Sequence, residues 1–346
     1  MATAFAIPYA LVQPILGALA DMFGKARLLL ICLSIVVIAA VISTVATSFP
    51  MLLAVRVLFG IGSGGIFPIG LALVGDLVPV AGRQVAIARL LGASMTAIVL
   101  GAAGAGIVGD VFGWRMVFFL NAALGMAALA GAIYGFRNAN LPPPDMKGVA
   151  SLISGYRALF RNPLSKVCFT AVLIEGLLVQ GMFPYVAILL RDQGEYRAAI
   201  AGLVLAGWGI GGFVYTLIVS RLLPHFTERV LMVTGGTFTA LVYGVLALGP
   251  SWQVFFAVYT VLGLSFYLLH SFIQVYATEL APEARGSALA MHSSCFFLGQ
   301  ACGPIVYGFG FSHLGTPATL VLAGVIMLST AVWCANSLRR PEMSPL

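Results

Sequence analysis

The sequence predicts an all-α polytopic membrane protein made of two pseudo-symmetric helical bundles, and three observations lead there. Of 346 residues, 61% are hydrophobic and 8% are charged, whereas a soluble domain carries about 25% charged residues to face water. Apolar runs of the roughly 20 residues needed to cross a bilayer follow one another along the chain. One long polar interval then divides these runs into two comparable sets.

Taken in order, the spans fall at 1–20, 28–48, 50–74, 87–109, 115–136, 166–190, 198–220, 230–249, 252–276, 288–311 and 316–336, eleven in all. None shows the polar alternation of a barrel strand. The interval 138–165 holds Pro142-Pro143-Pro144 and a run of basic residues. It reads as a cytoplasmic linker between an N-terminal bundle, 1–137, and a C-terminal bundle, 166–346. Residues 1–20 lack the basic start of a secretory signal, so they are not read as a cleaved leader.

The basic residues orient the chain. If residues 21–27 face the cytoplasm, fourteen of the 18 Lys and Arg fall on that side, including Lys25, Arg83, Arg157, Arg221 and Arg285. Arg115, Arg191 and Arg197 fall on the other side, and Arg56 lies inside a span. That bias is the positive-inside pattern of a multi-pass protein of a cell inner (plasma) membrane, with a cytoplasmic C-terminus and Met1 outside. The net charge of +7 therefore reports topology. A nucleic-acid partner would need the cations gathered on one stripe or face.

No cofactor or metal site is legible. The five cysteines, Cys32, Cys168, Cys295, Cys302 and Cys334, all sit in apolar runs without zinc-type spacing. His270 and His292 lack the spacing of a paired metal ligand. Gly207, Gly209, Gly211 and Gly212 follow no strand and precede no Lys-Ser/Thr, so they read as helix-packing positions. No nucleophile–base pair appears, and an enzyme is not expected.

The two halves repeat each other. Ala54-Val55-Arg56 and Gly60 align with Ala257-Val258-Tyr259 and Gly263, and the same offset aligns Asp76-Leu77-Val78-Pro79-Val80-Ala81 with Glu279-Leu280-Ala281-Pro282-Glu283-Ala284. A slightly shorter offset matches Leu100-Gly101 to Leu298-Gly299. Parallel repeats of this kind are a transporter architecture. The repeat pairs five early spans with the last five, so the chain reads as helices 2–12 of a twelve-helix plan, with helix 1 expected upstream.

The segment Gly17-Ala18-Leu19-Ala20-Asp21-Met22-Phe23-Gly24-Lys25-Ala26-Arg27 resembles the helix 2–3 loop motif of the major facilitator superfamily. Arg56 with Gly60, Gly62 and Gly64 resembles its helix 4 motif. Leu100 to Gly109 with Gly113-Trp114-Arg115 is similar to the helix 5 motif of its drug antiporters, although Gly101-Ala102 stands where those have Gly-Pro. The resemblance covers essentially the whole chain and is nearest to the drug:proton antiporter and sugar-efflux group. It implies a monomeric secondary transporter that exports drugs, sugars or metabolites by proton antiport and alternating access. An importer or facilitator, or a non-transporting sensor or assembly partner, are the alternative readings.

Three sets of site residues follow. The resemblance implies a conformational latch of Gly17, Asp21, Gly24, Lys25 and Arg27, in which Asp21 caps helix 11 near Ser287. Glu175 is the one acid deep inside a span. A carboxyl out of water can exchange a proton near neutral pH, so Glu175 is the expected coupling group. For Arg56 the resemblance implies a buried cation coupled to protonation, and the alternative is a cation near a helix end that snorkels to the interface. Polar residues at helical spacing give the expected solute cavity: Tyr9 with Gln13, His270 with Gln274, Phe266 above them, and Gln180, Tyr185, Trp208, His292 and Gln300. Such a cavity suits a neutral or cationic organic solute.

Overall fold

A computed structural model describes residues 1–137, 139 and 148–338, and among these every regular element is a helix. The helices are α1 (Ala2–Phe23), α2 (Lys25–Thr44), α3 (Phe49–Leu77), α4 (Val80–Phe112), α5 (Trp114–Phe136), α6 (Gly148–Arg161) and α7 (Leu164–Leu178). After them come α8 (Val186–Asp192), α9 (Ala198–Leu222), α10 (Glu228–Ala247), α11 (Trp252–Glu279), α12 (Arg285–His313) and α13 (Thr316–Ser337). A backbone in lipid must satisfy its own hydrogen bonds, which leaves the helix as the available form for these apolar runs.

Local signals set the boundaries. Ser48 Oγ accepts the Met51 amide at 3.3 Å at the start of α3, and Thr227 Oγ1 accepts the Val230 amide at 3.3 Å at the start of α10. Each serves an amide that the first turn leaves without a partner. The α1–α2 reversal passes through Gly24 at φ 86, a conformation that glycine adopts without a Cβ penalty.

Ten helical stretches among the described residues are long and apolar enough to cross a membrane, and α1 adds the shorter apolar stretch Ala2–Leu16. One of the ten, Leu164–Asp192, joins α7 to α8 through a tighter 3₁₀ turn at Gln180–Tyr185 that contains Pro184. Proline lacks the amide that would continue the α-helical ladder.

The packing shows the two bundles. In the first, α1 and α2 pack on α3, and α2 packs on α5; in the second, α9 and α10 pack on α11, and α10 packs on α13. The register repeats as well. A Cβ at Gly60 would meet the carbonyl oxygen of Phe5, and a Cβ at the equivalent Gly263 would meet that of Trp208, the residue equivalent to Phe5. Small residues allow such close helix approach in lipid. Between bundles, α1 packs on α12 and α4 on α9, again an equivalent pair. The outward faces of α4 and α5 carry Leu100, Ile107 and Leu124 at 65%, 55% and 71% exposure, surfaces suited to lipid and not to water.

One element departs from the expectation. The interval read as a linker contains α6, whose Leu159 is fully buried while Ile153, Phe160, Arg157 and Arg161 remain exposed. Tyr156 donates to the Pro14 carbonyl at 2.8 Å, and Asn162 to the Leu280 carbonyl at 3.1 Å, so α6 ties the foot of α1 to the end of α11. Its apolar residues recur at helical spacing, but over 14 residues it is too short to register as a span.

Candidate functional site

The most unusual chemistry lies inside the second bundle, where α7, α9, α11 and α12 meet. Glu175 stands on the last turn of α7 and is wholly buried. Its neighbour explains the burial: a Cβ at Gly176 would meet the Phe296 carbonyl oxygen, and one at Gly299 would meet that of Leu173, so α7 and α12 touch backbone to backbone. From α11, His270 Nδ1 lies 2.8 Å from Glu175 Oε2. His292 on α12 is 1% exposed, and its ring lies 5.0 Å from that of His270.

Aromatic rings enclose this group. Phe266 stacks on His270 at 4.6 Å, Phe296 lies 5.2 Å from the same ring, and Trp208 sits 5.5 Å from Phe266. Several buried polar atoms here have no hydrogen-bond partner: Glu175 Oε1, His292 Nε2, Trp208 Nε1, Tyr259 OH and Gln300 Oε1. Buried polar atoms are nearly always satisfied, so a cluster of orphans marks a place where a partner binds or the structure opens.

Other expected residues are dispersed. Tyr9 of α1 meets Phe297 of α12 at 4.0 Å, which places it on the seam between the bundles. Gln13 donates to the Gly64 carbonyl at 3.2 Å, and Tyr185 to the Pro304 carbonyl at 2.7 Å, both in helix-packing roles. Gln180 and Gln300 are half-buried, whereas Gln274 is exposed. Arg56 lies in an open hollow of about 380 Å³ with Phe5, Leu52, Trp114 and Phe118, its guanidinium 4.6 Å from the Phe118 ring. That contact is cation–π in character, and Arg56 forms no ion pair among the described residues.

The surroundings of Gly17 and the side chain of Asp21 lie outside what the structure describes, and so does the expected contact with helix 11. Of the same motif, Lys25 pairs with Asp76 at 2.6 Å, tying α2 to the foot of α3. Arg27 is exposed.

Sequence reasoning passed over Asp110. At the end of α4 its Oδ1 accepts the Ala198 amide at 2.7 Å and its Oδ2 the Ala199 amide at 2.6 Å. The residue before α9, Arg197, gives that helix no side-chain cap, so an acid from the other bundle caps it. The available signal was an acid just before the Gly113 turn. Beside it, the exposed Arg197 reaches Glu195 Oε2 at 2.5 Å and holds that half-buried carboxyl down to about 2.

Two bundles of antiparallel helices, joined by equivalent seams and enclosing buried polar groups, define a multi-pass membrane transporter. The comparisons place it further: the Major Facilitator Superfamily matches residues 1–227 and 195–345, and the chain belongs to that family. The purine ribonucleoside efflux pump NepI of Escherichia coli O127:H6 (strain E2348/69 / EPEC) is 27% identical over 83% of this chain and 71% of its own. Multidrug resistance protein 1 of Bacillus subtilis (strain 168) is 24% identical over 96% of this chain and 86% of its own. The crystal structure of the human organic anion transporter MFSD10 (TETRAN) superposes with a TM-score of 0.65 at 18% identity, covering 95% of this chain and 82% of that one. This last likeness is one of fold.

Proposed function

We propose that this transporter exports small neutral or cationic organic solutes by proton antiport, through alternating access of bundles 1–137 and 166–346 about the linker 138–165. The observation that carries the reading is Glu175, a wholly buried carboxyl bonded to His270 inside a membrane bundle. An ionisable group inside a membrane bundle is costly, and such groups mark ion and proton pathways. The name of NepI, a purine ribonucleoside efflux pump, supports export, and that of multidrug resistance protein 1 supports organic solutes of the drug class.

In this reading the chain works as a monomer in a cell inner membrane, and the basic-residue bias supports a cytoplasmic C-terminus. Solute binds along the seam lined by Tyr9, Phe297, Trp208, Phe266 and Gln300, and Gly17, Asp21, Gly24, Lys25 and Arg27 latch the inner side. Arg56 adds a fixed cation in the first bundle.

The test is transport by the purified full chain in proteoliposomes with an imposed pH gradient, over a panel of purine ribonucleosides, cationic dyes and sugars. Gradient-driven movement of one class, abolished by dissipating the gradient, is the expected result. Equal movement with and without the gradient across the panel would overturn proton antiport.

A further inference from the structure

We propose that Glu175, His270 and His292 form one proton-exchange unit, in which Glu175 and His270 hold the proton and His292 passes it to and from the basic side of the membrane. The unit rests on the proton-antiport reading above, but it removes the two histidines from the solute cavity and gives them a different task.

The geometry supports a shared proton. Across the 2.8 Å contact, either a neutral carboxyl donates its O–H to the imidazole Nδ1, or an imidazole N–H donates to the carboxylate. Moving the proton between these arrangements changes neither the number of protons nor the partners. Only one carboxylate oxygen is bonded, and Oε1 is buried without a partner among the described residues. A fully satisfied structural carboxyl would use both oxygens, so the site keeps acceptor capacity in reserve.

His292 is the next titratable group along, and its position gives the direction. It lies about two turns from Arg285, where α12 begins on the side that carries most of the basic residues. Its Nε2 is buried without a partner, so one ring nitrogen is available as the seam opens. The transfer then balances with a single proton. His292 takes it from the Glu175–His270 pair, carries it as an imidazolium and yields it to water, and loading runs in reverse.

The surroundings hold few competitors. Cys334 of α13 lies within electrostatic reach of Glu175, and Cys168 of α7 within reach of Cys334. Tyr243 of α10 and Tyr307 of α12 both donate to the Leu178 carbonyl, at 2.5 and 2.8 Å. Tyr267 of α11 lies 6.5 Å from the His270 ring, and Tyr215 of α9 bonds to Ser271. Tyr259 of α11 is buried beside Phe183. Among the described residues, His270 is the one cation-forming group paired with Glu175.

The experiment uses full-length protein in phosphatidylethanolamine–phosphatidylglycerol vesicles, with labelled inosine and ethidium as probes. Wild type, Glu175→Gln, His270→Gln and His292→Gln are compared in gradient-driven transport against pH and in gradient-free exchange. All three variants should lose gradient-driven transport by about ten-fold or more, the scale of a lost acid–base group, while exchange persists. The infrared carboxyl band, removed by Glu175→Gln, should shift in His270→Gln. His270 holds a hydrogen bond and its replacement can disturb folding, so His292→Gln, whose buried Nε2 has no partner among the described residues, decides the matter if the first fails to insert. A coupled wild type whose His292→Gln variant keeps the same rate and pH profile overturns the unit alone. A wild type indifferent to the gradient overturns the antiport reading and the unit with it.

Discussion

Replacing Asp110 should loosen the end of the molecule opposite the α6 side. Asp110 joins the two bundles there by accepting two amides at the start of α9, at 2.7 and 2.6 Å. A side-chain helix cap is worth roughly 0.5–2 kcal/mol, and the attraction of an anion for a helix N-terminus adds about 0.3–1 kcal/mol. The residue is exposed, which argues for the lower parts of both ranges, about 1–2 kcal/mol in total. A difference of that size changes a two-state ratio by about 5–30-fold. Asp110→Ala should therefore raise the population in which α4 and α9 separate at this end by that factor. Asp110→Asn, which keeps one acceptor oxygen, should give a smaller change. Spin labels at Val111 and Tyr196, both exposed, in a background without the native cysteines, report the separation by pulsed dipolar spectroscopy. An unchanged distance distribution in Asp110→Ala would refute the argument, because a cap without consequence for the equilibrium between closed and open ends is no clasp.

Three further outcomes are expected. Gly263→Val places a branched side chain on the Trp208 carbonyl and should cost about 1–3 kcal/mol by overpacking, seen as a lower thermal midpoint in detergent; Gly60→Val should behave alike, since it makes the equivalent contact with Phe5. Tyr156→Phe removes the bond to the Pro14 carbonyl and should lower stability by about 0.5–1.5 kcal/mol, seen as a lower thermal midpoint in detergent. Glu195 titrates at about 2, lowered from 4.5 by Arg197, so its folded-state pairing is present above pH 4.5 and is lost as pH falls through about 2. Carbon-13 shifts of labelled glutamate should follow that midpoint, and Arg197→Ala should return it toward the ordinary value; a midpoint unmoved by the substitution would show that Arg197 is not the cause.

Much of the architecture is local in origin, and so the sequence alone determined it. Each span is specified by its own apolar run, because in lipid the helix satisfies the backbone whatever its neighbours do. The repeat was readable for a related reason: Gly60 and Gly263 occupy equivalent contacts, where packing admits no side chain and leaves a mark in both halves. Glu175 was legible as a lone acid in an apolar run. α6 was less so, since an amphipathic helix of 14 residues resembles a polar interval when hydropathy is averaged over a span.

Tertiary structure alone decided which polar residues meet. His270 and His292 lie on different helices from Glu175, and nothing in their spacing reveals that α7, α11 and α12 bring them together. The same applies to Asp110, whose partners are backbone amides of another bundle and leave no side-chain signature at Ala198 and Ala199. Conversely, the polarity of Gln13 and Tyr185 is visible in sequence, whereas the carbonyls of Gly64 and Pro304 that accept their bonds are not. Hydropathy is a property of each residue, but a polar side chain acquires its role from the helix packed against it.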